Sequence, residues 1–225
     1  MLLTNKCCAQ FLKKHKLVGI YREHDSPDLE QLKELLQAEP SLRKDLPSSL
    51  KSIEIDPKSH VQPQVFSLYA QLIENAGDDL DMLRKILRSM SKANYGIGGH
   101  GHFALCWQDY AHFTSPIRRY ADLWVHRRMS AFLAGKKEGD LSVLAEDVSD
   151  RISTNEITNM KVERQALKFC NAWLAQDRIG EEFEAKVSGM QDFGMYVAVA
   201  DPAIEGLVRF QDIEGDYFNL SLIHI

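Results

Sequence analysis

Long apolar runs are missing from this 225-residue chain. None approaches the roughly 20 residues needed to cross a bilayer, so neither a membrane span nor a membrane partner is expected. Cysteine is scarce: Cys7, Cys8, Cys106 and Cys170 form no Cys-x-x-Cys pair. That spacing excludes a disulfide framework or a zinc ribbon and fits a reducing cytoplasm. The start of the chain has a brief apolar stretch before Lys13, Lys14 and Lys16, the reverse of a secretory leader. No internal repeat or low-complexity tract is present. With 44% hydrophobic and 26% charged residues, the composition is that of a globular protein, not a rod or a disordered tail.

The net charge of −5 conceals an uneven distribution. Residues 1–22 carry Lys6, Lys13, Lys14, Lys16 and Arg22 and no acid. Residues 109–137 carry Arg118, Arg119, Arg127, Arg128, Lys136 and Lys137 against Asp109 and Asp122. Clustered cations admit a polyanion partner even where the average is acidic. Solvated helix faces are the plain alternative for either cluster.

Most of residues 1–178 reads as helix. Ser26-Pro27-Asp28 resembles an N-cap with proline at the first helical position. Residues 40–60, with Pro40, Pro47 and Pro57, read as a connection. A helix over 63–75 ends near Gly77. Asp78 or Asp79 caps the next, with Leu80, Leu83, Ile86, Leu87 and Met90 as its apolar stripe. Four glycines in residues 95–103 predict unusual backbone or a close approach. A helix is expected from Ser115-Pro116 to Gly135, and two more within 141–176. From Gly180 the period changes to two. Phe183, Ala185 and Val187, then Phe193, Met195, Val197 and Val199, then Gly206-Leu207-Val208, predict three short strands. Three strands cannot close a barrel. The fold class is therefore α+β: a mainly helical part followed by an incomplete β-barrel. Leu220–Ile225 reads as a translated sequencing adapter and is excluded from fold reasoning.

The chemistry concentrates in Tyr110 to Arg127 (YAHFTSPIRRYADLWVHR). With Ser115 as N-cap and Pro116 opening the helix, Arg118 and Arg119 would fall in its first turn, facing the positive end of the dipole. Cations are unfavourable there unless an anion lies between, and phosphate matches both the arginine forks and the helix N-terminus. The alternative is pairing with acids, Asp122 being four residues after Arg118. His100, His102 and His112 with Cys106 match no standard zinc spacing; hydrogen bonding or packing is the expected role. Trp107 and Trp124 are expected in the core.

This segment resembles the signature of the RNase II and RNase R exoribonucleases, whose catalytic domain is called RNB. The family pattern G-H-F-G-L-A stands here as Gly101-His102-Phe103-Ala104-Leu105-Cys106, departing at Ala104 and Cys106. The longer Y-x-H-F-T-S-P-I-R-R-Y-x-D-L-x-V-H-R is an essentially complete match at Tyr110–Arg127. Met1-Leu2-Leu3-Thr4-Asn5 resembles M-L-L-A-N, and Tyr21-Arg22-Glu23-His24 resembles Y-R-V-H. Glu163-Arg164 falls at the family's A-E-R segment. The resemblance implies processive 3′–5′ hydrolysis of single-stranded RNA to nucleoside 5′-monophosphates by a monomer. It also implies magnesium held by aspartates upstream of the M-L-L-A-N segment, so that this chain is expected to begin inside the domain and to be inactive alone.

By position, the resemblance gives Arg118 the grip on the scissile phosphate, Arg119 a place lining the cleft, and Glu163 a place facing the 3′-terminal nucleotide. His102, Tyr110, Thr114 and Ser115 are the other expected RNA-binding positions. Residues 179–219 resemble the start of an OB-fold of the ribosomal-protein-S-one type, following an RNB part over 1–178. There Phe193, Tyr196 and Arg209 match RNA-contacting positions, Arg209 replacing a histidine. A bulge at Gly194 would be needed to bring Phe193 and Tyr196 to one face. The rival readings are a non-catalytic RNA-binding module that kept the cleft without the metal site, and a helical interaction scaffold.

Overall fold

A computed structural model describes residues 1–43, 62–137, 139–199 and 204–213. The expected connection around Pro47 and Pro57, and the expected adapter remnant, lie outside the described residues. In chain order the described elements are α1 (Leu2–Lys14), β1 (Tyr21–Glu23), α2 (Leu29–Ala38), α3 (Pro63–Ala76), α4 (Leu80–Arg88), β2 (Asn94–Gly96), α5 (Tyr120–Leu133), α6 (Ser142–Ala175), β3 (Ala185–Gln191), β4 (Gly194–Val199) and β5 (Ile204–Arg209). Four short 3-10 turns punctuate them. No helix among the described residues is long and apolar enough to cross a membrane. The chain divides into two compact units, Met1–Asn155 and Glu156–Ile225, the division falling inside α6.

Helical periodicity builds the first unit. In α1, Asn5, Cys8, Ala9 and Leu12 recur at i, i+3, i+4 and i+7 and are buried. In α3, Val65, Leu68, Tyr69 and Leu72 repeat that pattern. The α3 stripe packs with Leu32 and Leu35 of α2, Leu42, Ile86 of α4 and Phe103. A second cluster joins Cys8, Ala9 and Leu12 to Tyr21, Ala111 and Val125. A third joins Ile20, Tyr95, Ala121, Trp124 and Ala145. The last two clusters meet on one face of α5, through Val125 in the second and Ala121 and Trp124 in the third.

Two expected caps resolve in different ways. Asp79 caps α4, accepting the Asp81 and Met82 N–H groups at 3.0 Å. At α2 the cap is Asp28, which accepts the Glu30 N–H at 2.9 Å, and Pro27 precedes the helix. The α4 stripe is also rotated from its expected place. Ile86 is fully buried, with Met82 and Met90 packed beside it, whereas Leu80 and Leu87 are exposed. Ile86 and Met90 keep their expected place, and the flexible thioether of Met82, at i−4 from Ile86, joins them on the core side. The segment over 141–176, expected as two helices, is the single helix α6, with no glycine or proline to break it.

The short antiparallel pair β1–β2 was hidden in sequence, since three residues carry no readable period. Tyr21, Arg22 and Glu23 pair with Gly96, Tyr95 and Asn94. The glycines at the end of β2 and beyond it are needed for close approach and turning. A Cβ on Gly96 would lie 2.7 Å from the Glu23 carboxyl carbon, and Gly99 and Gly101 have φ of +59° and +109°.

In the second unit β3, β4 and β5 form an antiparallel meander in that order. The first strand begins at Ala185, later than expected, and Phe183 instead lies under the Arg178 guanidinium at 4.5 Å. Its register shifts between Val187 and Gly189, so the bulge is on β3 and not at Gly194. Gly194 is required for another reason: a Cβ there would meet the Val208 carbonyl oxygen at 2.5 Å.

The rotated α4 stripe is directly testable. Ile86→Ala is expected to cost about 2–5 kcal/mol of stability, and Leu87→Ala to stay within about 0.5 kcal/mol. Urea unfolding of the two variants measures both; equal costs would return Leu87 to the core face.

Candidate functional site

The Tyr110–Arg127 segment is held from three directions. The buried Asn5 side chain of α1 donates through Nδ2 to the Tyr110 hydroxyl at 3.1 Å and accepts the Phe113 N–H through Oδ1 at 3.1 Å. From β1, the Arg22 N–H donates to the Tyr110 carbonyl at 2.9 Å. From α5, His126 Nε2 bonds the Phe113 carbonyl at 2.9 Å, and the two rings stack with centroids 4.0 Å apart. Residues 110–113 thus enter the next turn with little freedom left.

That turn departs from the expected helix start. Ser115 and Pro116 do not open α5; residues 115–118 form a turn, and Arg119 is the N-cap of a helix beginning at Tyr120. The Ser115 carbonyl accepts from the N–H groups of Arg118 at 3.3 Å and Arg119 at 3.1 Å. Asp122 explains the delay. Its carboxylate has no exposure, and its Oδ1 accepts the Ser115 N–H at 2.7 Å and Arg119 Nη2 at 2.8 Å. Fully desolvated, it needs such donors, and the turn supplies two of them to Oδ1, while Oδ2 is buried with no partner among the described residues.

The adjacent arginines therefore have different surroundings. Arg119 is mostly buried and paired with Asp122. Arg118 is exposed next to the fully exposed Ile117, and among the described residues no carboxylate pairs with it. The acid expected to rival phosphate for Arg118 belongs to its neighbour. Thr114 Oγ1 is buried with no partner among the described residues.

Behind the turn lie three histidines. His112 Nδ1 is 3.0 Å from the Tyr95 hydroxyl, and the Arg22 guanidinium stacks on the Tyr95 ring at 4.6 Å. Burial pushes His112 down to about 4, helped by the charges of Arg119, Arg22 and Arg118 and opposed by Asp122. Burial also takes His102 to about 4, with His24, Arg22 and His112 adding to it. Burial lowers His24 as well; its Nε2 bonds the Ser91 carbonyl at 2.8 Å. The rings of His24 and Tyr110 flank that of His102 at 5.0 and 5.4 Å. Burial is the leading cause at all three rings, and Arg22 adds to it at each of them.

Tyr110, His102, Thr114, Ser115, Arg118 and Arg119 are thus gathered in the first unit. Tyr110 is buried, with its hydroxyl bonded to Asn5, and acts on the site from behind. Trp124 is in the core as expected, its Nε1–H donating to the Val18 carbonyl. Trp107 is half-buried beneath the Lys6 ammonium at 4.8 Å. Glu163, Phe193, Tyr196 and Arg209 belong to the second unit. Glu163 is exposed on α6. Register puts Tyr196 and Arg209 on one sheet face, since Gly194 pairs with Arg209 and Tyr196 with Leu207. Tyr196 lines a groove of about 750 Å³ with Leu207 and with Leu167 and Ala172 of α6. Phe193 sits in the β3–β4 turn, half exposed, and does not line that groove. Sequence reasoning did not single out Tyr95 or Glu23. Glu23 is a buried carboxylate that accepts the Gly99 N–H at 2.8 Å, and its signal was an acid where the family pattern has valine.

Among the described residues no group of three or more His, Cys, Asp or Glu side chains could hold a metal ion. The nearest cluster is of imidazoles, whereas magnesium takes oxygen ligands. The described residues do not fit a magnesium site.

A family model described as RNB domain matches residues 1–135, and the chain belongs to that family. It is 30% identical over 224 residues to Ribonuclease R 1 of Lactococcus lactis subsp. lactis, covering 97% of this chain and 26% of that protein. It is 32% identical over 238 residues to Ribonuclease R of Escherichia coli, covering 99% and 28%. The fold resembles that of Mycoplasma genitalium RNase R, solved in complex with ribose-methylated single-stranded RNA. The TM-score is 0.76 at 24% identity, over 99% of this chain and 34% of that one. The chain spans roughly a quarter to a third of the length of these relatives.

The histidines set a pH dependence. Both rings titrate near 4 when folded, against an ordinary value of 6.5. Between those values the unfolded chain binds more protons, so stability falls as pH drops. The stability is whole above about 6.5 and is lost progressively towards pH 4. Thermal unfolding at pH 7.5, 6 and 5 should show a falling midpoint, and His112→Gln should lessen the fall. A midpoint flat over that range would mean the rings titrate in the fold as they do in the unfolded chain.

Proposed function

We propose that this chain forms the phosphate-gripping wall of a 3′–5′ exoribonuclease that degrades single-stranded RNA to nucleoside 5′-monophosphates. The carrying observation is Arg118: an exposed guanidinium, unpaired among the described residues, on a turn anchored by a buried carboxylate. Such a group can meet a phosphodiester with two N–H donors and offset the charge that builds on its oxygens as the bond breaks. Arg22 and Arg119 add positive potential behind it, and Thr114 and Ser115 flank the turn. Membership of the RNB family and likeness to named ribonucleases R support the reaction class.

The remaining assignments rest on the family resemblance. Glu163 faces the 3′-terminal nucleotide. The sheet β3–β5 opens an OB-fold, in which the half-exposed Phe193 offers a stacking surface and Arg209 a phosphate contact. Magnesium belongs to the whole enzyme and supplies Lewis-acid chemistry at the scissile phosphate. The RNB part spans 1–178 and the OB part 179–219. The protein acts as a cytoplasmic monomer.

Two outcomes test this reading. The 225-residue chain, assayed alone with magnesium and labelled oligoribonucleotide, should release no mononucleotides, since the described residues offer no metal cluster. Within a full-length RNB exoribonuclease carrying this segment, Arg118→Ala should lower kcat on the order of 10²–10³-fold, while RNA affinity changes much less. A variant that binds RNA weakly but turns over each bound molecule at the normal rate would make Arg118 a docking residue.

A further inference from the structure

We propose that Asp122 is the positioning residue for Arg118, and that the neighbouring Arg119 serves to hold Asp122 rather than RNA. The inference rests on the cleft reading above and divides the labour between two arginines that the sequence makes look equivalent.

One carboxylate oxygen takes hydrogen bonds from both ends of the Ser115–Arg119 turn: the Ser115 N–H at 2.7 Å and Arg119 Nη2 at 2.8 Å. The Ser115 carbonyl closes the inner side by accepting the N–H groups of Arg118 and Arg119. Pro116 fixes one further φ within the loop. What leaves this ring outward is Ile117, fully exposed, and Arg118. Asp122 has no exposure, so detaching Arg119 to reach a phosphate would strand a buried anion. Arg119 is therefore committed. The opposite holds for Arg118, whose backbone is placed by the ring and whose guanidinium is left for an incoming anion.

Two measurements on the 225-residue chain test this separately. The first is tryptic cleavage after Arg118. Asp122→Asn keeps the shape but weakens the hold on Arg119, and cleavage should accelerate on the order of tenfold by local opening. Should that variant fail to fold, Arg119→Gln combined with Asp122→Asn removes the stranded charge, and the same acceleration is expected. Unchanged cleavage in a folded variant overturns the lock.

The second is fluorescence anisotropy with a labelled single-stranded oligouridylate across a salt series. Arg118→Ala should lessen the dependence of log affinity on log salt by about one. The Arg119→Gln, Asp122→Asn pair should lose the same increment, and adding Arg118→Ala to it should lose no more. Additive losses overturn the proposal, because Arg119 then contacts RNA itself. If cleavage accelerates but Arg118→Ala leaves the slope unchanged, the lock is supported and the RNA reading falls.

Discussion

A carboxylate sealed from water must be answered by donors, and the site is arranged around one such group. Asp122 lies in the first turn of α5 with no exposure, and its partners come from the turn just before that helix. Everything that packs α5 into the first unit therefore also fixes the turn. Ala121, Trp124 and Val125, beside Asp122 in sequence, are in the second and third core clusters. Burial of apolar surface, which has no directional preference, is converted at Asp122 into the placement of one exposed guanidinium.

The electrostatics behind the turn follow from that placement. Three guanidinium groups register at His112, and with burial they leave its imidazole neutral. A neutral ring shares a hydrogen bond with the Tyr95 hydroxyl, whereas a charged one would add to the crowding of cations. Around the turn the positive charge lies on Arg22, Arg118 and Arg119, which do not titrate near neutrality, and the histidines pack and hydrogen-bond. Asn5 does the same work without charge, satisfying two polar groups of the Tyr110–Phe113 segment from a helix more than a hundred residues away in sequence.

The second unit is simpler. Its meander presents Tyr196 and Leu207 to a groove shared with α6, while Phe193 stands apart at the β3–β4 turn. The two aromatics that a stacking pair would require are separated because Phe193 lies in the turn before β4 and Tyr196 within the strand, while the register shift sits on β3.

Much of this was legible from residues alone. The periodicities of α1 and α3, the Asp79 cap, the alternation of the strands and the family signature all depend on neighbours in sequence, and local spacing determines them. The sequence by itself also marked Arg118 and the arginine beside it as the anion-facing pair. Only the tertiary structure told the two apart. Ser115-Pro116 is a sound helix opening by local rules, yet both ends of the Ser115–Arg119 turn are tied to the buried carboxylate of Asp122 and the helix begins at Tyr120. Whether an acid reaches across a turn depends on its being buried, and burial is set by α1, β1 and α6 packing onto α5 from distant parts of the chain.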